Sequence, residues 1–176
     1  MSYLINLDMT YDSAISLLKT KYGPVPQPYF TESSYQNFLA GVIYEPVRSS
    51  GISRTRDGLY VHHVLESEAP LLSTPEFLKE NRVSFDFQNS ENLVYVNLLE
   101  HFMLHILIGD ATDGDLGYPG AYSFIGPELI DWFYNKRIPE MGWKQNCYNS
   151  VFNSGYDVYS ILNEGYRRMG FEIVVD

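Results

Sequence analysis

The sequence predicts an α+β fold whose centre is a strand–strand–helix unit with helices on either side. Three observations predict it. Residues 58–64, GLYVHHV, have the Tyr and Val content of a strand. Residues 92–96, NLVYV, form a second strand candidate. Asn97 then stands three residues before Glu100, the spacing of a capping box, and opens a helix from Leu98 to about Ile108 that Gly109-Asp110 ends.

The flanking elements follow from caps and breakers. Thr10 can cap a helix to Tyr22, with Ala14, Ile15, Leu17 and Leu18 as its apolar stripe and Gly23-Pro24 as its stop. GPVPQPYF is an extended, Pro-rich connection. A short helix is expected over Glu32 to Ala40, and Ser49, Ser50, Gly51 and Ser53 mark a loop. Residues 65–90 are polar, with Pro70 and Pro75, and predict a surface loop with one helical turn after Thr74. GDATDGDLGYPG is an acidic, Gly-rich loop, and Gly126-Pro127 starts a helix to about Asn135. A last helix is expected from Tyr156 to Met169, then a short strand from Phe171 to Val174. The chain is therefore one domain of 176 residues. Its core spans about 51–110, between an N-terminal helical segment 1–50 and a C-terminal helical segment 111–176.

Composition narrows the class. Apolar residues make up 45% and aromatics 15%, enough for a packed globule. A lone Cys147 forms no internal disulfide, which points to a reducing compartment. The start MSYLINLDMT lacks the basic and apolar pattern of a signal peptide, and no stretch reaches the roughly 20 apolar residues of a membrane span. A cytoplasmic protein is expected. Twelve Lys and Arg against 22 Asp and Glu give a net charge of −10, and no third of the chain is basic. A surface for nucleic acid must then be a local patch, because phosphate binding draws on Lys and Arg. Arg54/Arg56 and Arg167/Arg168 are the local clusters.

All four histidines lie in the central unit. His101 and His105 are four apart on one helix, so their rings share a face, as in paired zinc-binding histidines. Taken alone, such a pair is equally consistent with ordinary helix surface or core. His62 and His63 end a strand, where neighbouring side chains point to opposite sides. One ring can face the helix while the other faces open substrate space. A metal on His62, His101 and His105 would leave positions for water and a phosphate oxygen, and His63 could serve as general base. Two half-buried strand residues would look the same in sequence.

The segments GLYVHHV and ENLVYVNLLEHFMLH together resemble the HNH, or ββα-metal, endonucleases, over roughly residues 58–108. The HH…N…HxxxH order is similar to that of colicin-type DNases, and the wording around EHF is closer to small phage HNH proteins. The resemblance implies a ββα-metal core with His62, His101 and His105 as ligands, His63 as base and Asn92 bracing the loop that carries the base. It implies one divalent ion, and three imidazoles favour Zn, Ni, Co or Mn over Mg. The chain departs from the family where Glu66-Ser67-Glu68 and a long loop replace a Gly-rich segment. Those acids are expected to be solvated loop charges.

Arg54 and Arg56, just before the HH strand, could neutralise a phosphate's growing charge, or could be solubilising loop charges. Glu100 suffices as a cap and helix-start charge, with a supporting role behind a ligand His as a further option. Asp110, Asp113 and Asp115 do not fit a calcium-loop spacing and predict a solvated turn. The 15 Tyr could stack on bases but serve equally as core, and Cys147 reads as an idle thiol. The expected function is a metal-dependent endonuclease that hydrolyses or nicks DNA. The alternative is an acidic phage-type inhibitor that imitates DNA and binds a host protein.

Overall fold

The computed structural model describes residues 4–173. It is α+β. Helix α1 (Tyr11–Tyr22) and helix α2 (Glu32–Leu39) precede strand β1 (Tyr60–His63). A short helix α3 (Pro75–Glu80) interrupts the long connection to strand β2 (Leu93–Val96), and α4 (Leu98–Ala111) follows directly. One turn of helix, α5 (Tyr118–Gly120), runs through a π turn into α6 (Gly126–Phe133); α7 (Gly142–Phe152) and α8 (Val158–Arg168) complete the chain.

The local causes are those the sequence carries. Thr10 accepts the Ser13 amide to start α1, and Gly23 ends that helix at φ 78°. Asn97 and Glu100 form a reciprocal capping box at the start of α4. Asp157 caps α8 rather than Tyr156 opening it. Helix α7 is not predicted, because WKQNCYNS carries no apolar stripe; only Cys147 and Val151, one turn apart, are buried on it. Residues 171–173 form no strand, and Val174, where that predicted strand would end, lies outside the described residues.

Strands β1 and β2 pair antiparallel, with His62 opposite Val94 and His63 opposite Leu93. This two-stranded sheet is a partition between two cores. Val94 and Val96 face a core built on α1, α4, α6, α7 and α8. Leu93 and Tyr95 face a second one formed by Val25, Tyr35, Phe38, Leu72, Leu78 and their neighbours. Burial on both faces explains why LVYV is apolar throughout instead of alternating. It also decides the fate of the tandem pair: opposed residues share a face, so His62 points with Val94 toward α4 and His63 with Leu93 into the second core. No helix among the described residues is long and apolar enough to cross a membrane.

Candidate metal centre

Helix α4 is the axis of the larger core. From Leu98 to Gly109 every residue is buried except His101 and His105, which open one window in its surface. The i,i+4 spacing brings their Nε2 atoms within 3.3 Å. His105 Nδ1 lies 3.1 Å from the Gly117 carbonyl. A carbonyl only accepts, so Nδ1 carries the proton and the neutral ring's lone pair sits on Nε2. This contact needs a backbone without side chains. Gly117 has φ 72°, and a Cβ on Gly120 would stand 2.6 Å from His105 Nδ1. The acidic, Gly-rich loop therefore folds back to orient a ring, while Asp110, Asp113 and Asp115 on it stay exposed.

His62 enters from β1 and is 1% exposed. Its Nε2 lies 2.9 Å from the Tyr11 hydroxyl, which donates its own hydrogen to the Val64 carbonyl at 2.8 Å. With that hydrogen used, the hydroxyl accepts from Nε2–H, and the His62 lone pair is on Nδ1. That atom is buried and has no hydrogen-bond partner among the described residues. Orphaned buried acceptors cost about 1–3 kcal/mol, and one 3.6 Å from a carboxylate, on a ring beside two further imidazoles, suits a cation. The three ring centroids are 4.9–5.4 Å apart.

The fourth member corrects the sequence reading. Glu66 is not a solvated loop charge. A 3₁₀ turn (Val64–Ser67) directly after β1 swings it back, with its side chain 14% exposed. Its carboxylate stands 3.2 Å from His105 Nε2 and 3.6 Å from His62 Nδ1. Burial pushes the Glu66 carboxyl up, but His105, His62 and His101 outweigh it and hold the group at about 2. Burial lowers His62 to about 3, against the pull of Glu66, and with the neighbouring imidazoles holds His101 well below its usual range. Neutral imidazoles beside an ionised carboxylate are the ligand forms of these groups.

One ligand atom from each of His62, Glu66, His101 and His105 can be chosen so that all lie within 4.8 Å of one another. Bonds of about 2.0–2.1 Å to a tetrahedral ion place ligand atoms about 3.3 Å apart. The His101–His105 and His105–Glu66 separations already match, and His62–Glu66 is slightly long. A single proton can bridge one of the contacts at His105 Nε2, not both. The group can hold a metal ion.

The other predicted residues lie elsewhere or are otherwise engaged. His63 does not face open space. It is 2% exposed, its Nε2 is 3.1 Å from Gln88 Oε1, and Tyr29 packs on its ring at 4.5 Å. Burial lowers its pKa. Asn92 donates to the Asp86 carbonyl on the turn that also carries Gln88. Glu100 supports no ligand histidine. Fully buried, it accepts from Lys21, Tyr22, Tyr156 and the Asn97 amide. Arg54 is tied to Asp57 and the Tyr22 carbonyl over the Tyr95 ring, whereas Arg56 is exposed and forms no ion pair among the described residues. Arg167 and Arg168 both pair with Glu164, and Arg168 also with Asp8 and Asp110, so they form no free basic patch. Tyr11, Glu66, Gly117 and Gly120 are the site residues that sequence reasoning missed. Of these only Glu66, four residues after His62, carried a usable signal. Compared with family models, curated proteins and solved structures, the chain matches none of them.

Proposed function

We propose that this protein is a metal-dependent phosphodiester hydrolase of the HNH type that cuts or nicks DNA in the cytoplasm. The observation that carries the proposal is the convergence of His62, His101 and His105 across a strand–strand–helix unit, beside a carboxylate. These residues would hold one divalent ion. When bound, the ion would lower the pKa of a water and polarise a phosphoryl oxygen. Tyr11 and the Gly117 carbonyl hold two of the rings in the ligating tautomer, as outer partners of metal-binding histidines do. The base role falls away from His63, whose ring is closed inside the second core.

Two features near the centre support a nucleic-acid substrate. Tyr60 packs 6.4 Å from the His101 ring, and Trp143, 48% exposed, sets its ring edge-on to Tyr60 at 6.2 Å. An exposed indole beside a phosphodiester-cleaving centre is a stacking surface for a base. Arg56 is the cation of the turn Thr55–Asp57, without an ion pair among the described residues, and that turn packs against α7, which carries Trp143. Metal-loaded protein should convert supercoiled plasmid to nicked circle, and His105→Ala should abolish this. Wild-type protein that binds metal yet leaves both DNA and RNA intact would overturn the reading.

The net charge of −10 favours a second reading, in which the metal is structural and the acidic exterior docks on a basic nucleic-acid channel of another protein. The ion-paired state of Arg54, Arg167 and Arg168 supports it. Under that reading metal-loaded protein leaves plasmid intact, and replacing surface Asp and Glu, not His105, removes function.

A further inference from the structure

We infer that Glu66 is a fourth protein ligand, so that the resting centre is a closed set of three imidazoles and one carboxylate. A substrate phosphate oxygen then reaches the ion only by displacing it. The inference rests on the reading of this cluster as a metal centre, and not on what the centre cleaves.

The cluster separates its members into fixed and movable ones. His62 is anchored by Tyr11, and its side chain has no exposure. His101 and His105 are set by the α4 backbone, and His105 is held from behind by Gly117. Glu66 has none of these anchors. Among the described residues its carboxylate meets only His62 and His105, and no backbone amide, hydroxyl or cationic side chain holds it. It rides on a four-residue 3₁₀ turn, where hydrogen bonding is poorer than in an α-helix. Its side chain, 14% exposed, that of His105, 12% exposed, and the partly exposed His101 form the edge of the cluster that solvent reaches, whereas His62 is buried behind them. In a set closed by four protein ligands an incoming oxygen takes the place of one of them, and Glu66, the member at this edge without an anchor, is the one free to yield.

The chemistry of the exchange is balanced. A carboxylate oxygen and a phosphate oxygen are both hard anionic donors, so one oxygen–metal bond breaks as another forms, with no redox change and no net proton transfer. Glu66 leaves as a carboxylate into water at the open edge. Four protein ligands make a closed site and three make an open one. Glu66 thus sets whether this centre rests closed or open, and its negative charge repels anions that bind the ion too weakly to exchange with it.

The test uses the full chain loaded with Co(II), whose visible absorption is strong when four-coordinate and weak when waters expand the shell. Wild-type protein should take up one Co(II) with a strong four-coordinate spectrum that millimolar inorganic phosphate leaves unchanged. Glu66→Ala should weaken that spectrum, make it respond to phosphate, and lower Zn(II) affinity in chelator competition. The loss should exceed the roughly 10–100-fold typical of outer partners. Glu66→Gln, which keeps the shape, should behave like Glu66→Ala, and circular dichroism of both variants confirms the fold. An unchanged Co(II) spectrum with less than about tenfold loss of affinity in both variants overturns the inference while leaving the three-histidine centre intact. Failure of wild-type protein to take up any metal overturns the centre itself.

Discussion

Two acidic side chains are drawn in beside helix α4, and they differ in what surrounds them. Glu100 is closed. Its two oxygens accept from an ammonium, two phenols and a backbone amide, and its exposure is 0%. Glu66 is open. It faces the nitrogen atoms of imidazoles whose backbone and hydroxyl contacts leave lone pairs directed inward. The first is a complete hydrogen-bond network that ties α1 and the start of α8 to the α4 N-terminus. The second is a set of acceptors lacking a common donor. A buried polar cluster that satisfies itself is architecture, and one whose acceptors converge can hold a metal ion.

The largest effect that sharpens this contrast is on stability. Glu100→Gln places an amide against Lys21 and removes a charge that Lys21, Tyr22 and Tyr156 share. It should cost about 3–5 kcal/mol in denaturant melts and leave metal stoichiometry at one. Glu66→Gln in metal-free protein should cost less than Glu100→Gln, because no ammonium, phenol or backbone amide among the described residues donates to its carboxylate. Equal costs for the two would break the comparison. His63→Ala empties a ring-sized space beside Tyr29 and leaves Gln88 Oε1 unpaired, so a loss of about 2–4 kcal/mol without loss of metal is expected. Loss of cleavage at unchanged stability would return His63 to the chemistry.

Smaller effects follow. Saturating Zn(II) at about 100 times its Kd should stabilise the protein by about 2.7 kcal/mol, roughly 5–10 °C in Tm, and His62→Ala should lose that gain. Acid acts in the same direction on both kinds of group. His62 and His101 have folded pKa values below the unfolded value, so the unfolded chain binds more protons and stability falls as pH drops below about 6.5. The depressed Glu66 carboxyl adds stability above the ordinary carboxyl range that is lost on further descent toward about 2. Metal-free protein should thus melt at progressively lower temperature from pH 7 to pH 4 in calorimetry. Tyr11→Phe frees the His62 ring and should weaken metal binding by about tenfold. Smallest of all, Arg56→Ala should reduce the salt slope of DNA binding by about 0.9, while a change of Arg54, held by Asp57 and Tyr22, should act through the fold.

The strand–strand–helix core was legible because each element carries its own local code. Tyr and Val mark β1 and β2, and the Asn97–Glu100 box starts α4. The histidine spacing on α4 was legible for the same reason. What lay hidden depends on contacts between distant segments. Tyr11 meets His62 across 51 residues of chain, and Gly117 reaches His105 only because the loop after α4 turns back on the helix. The side to which each of His62 and His63 points was settled by the second core, which no periodicity in GLYVHHV announces. Glu66 was misread because it was weighed as a charge in a polar loop, not as a residue one 3₁₀ turn from a strand-end histidine. Helix α7 was missed because its burial rests on two side chains.

The most direct test of the centre is the metal stoichiometry of the purified full chain after equilibrium dialysis against Zn(II), in wild-type, His105→Ala and Glu100→Gln proteins. One ion per chain is expected in the wild type and in Glu100→Gln, and none in His105→Ala. No ion in the wild type, or one retained in His105→Ala, would contradict it.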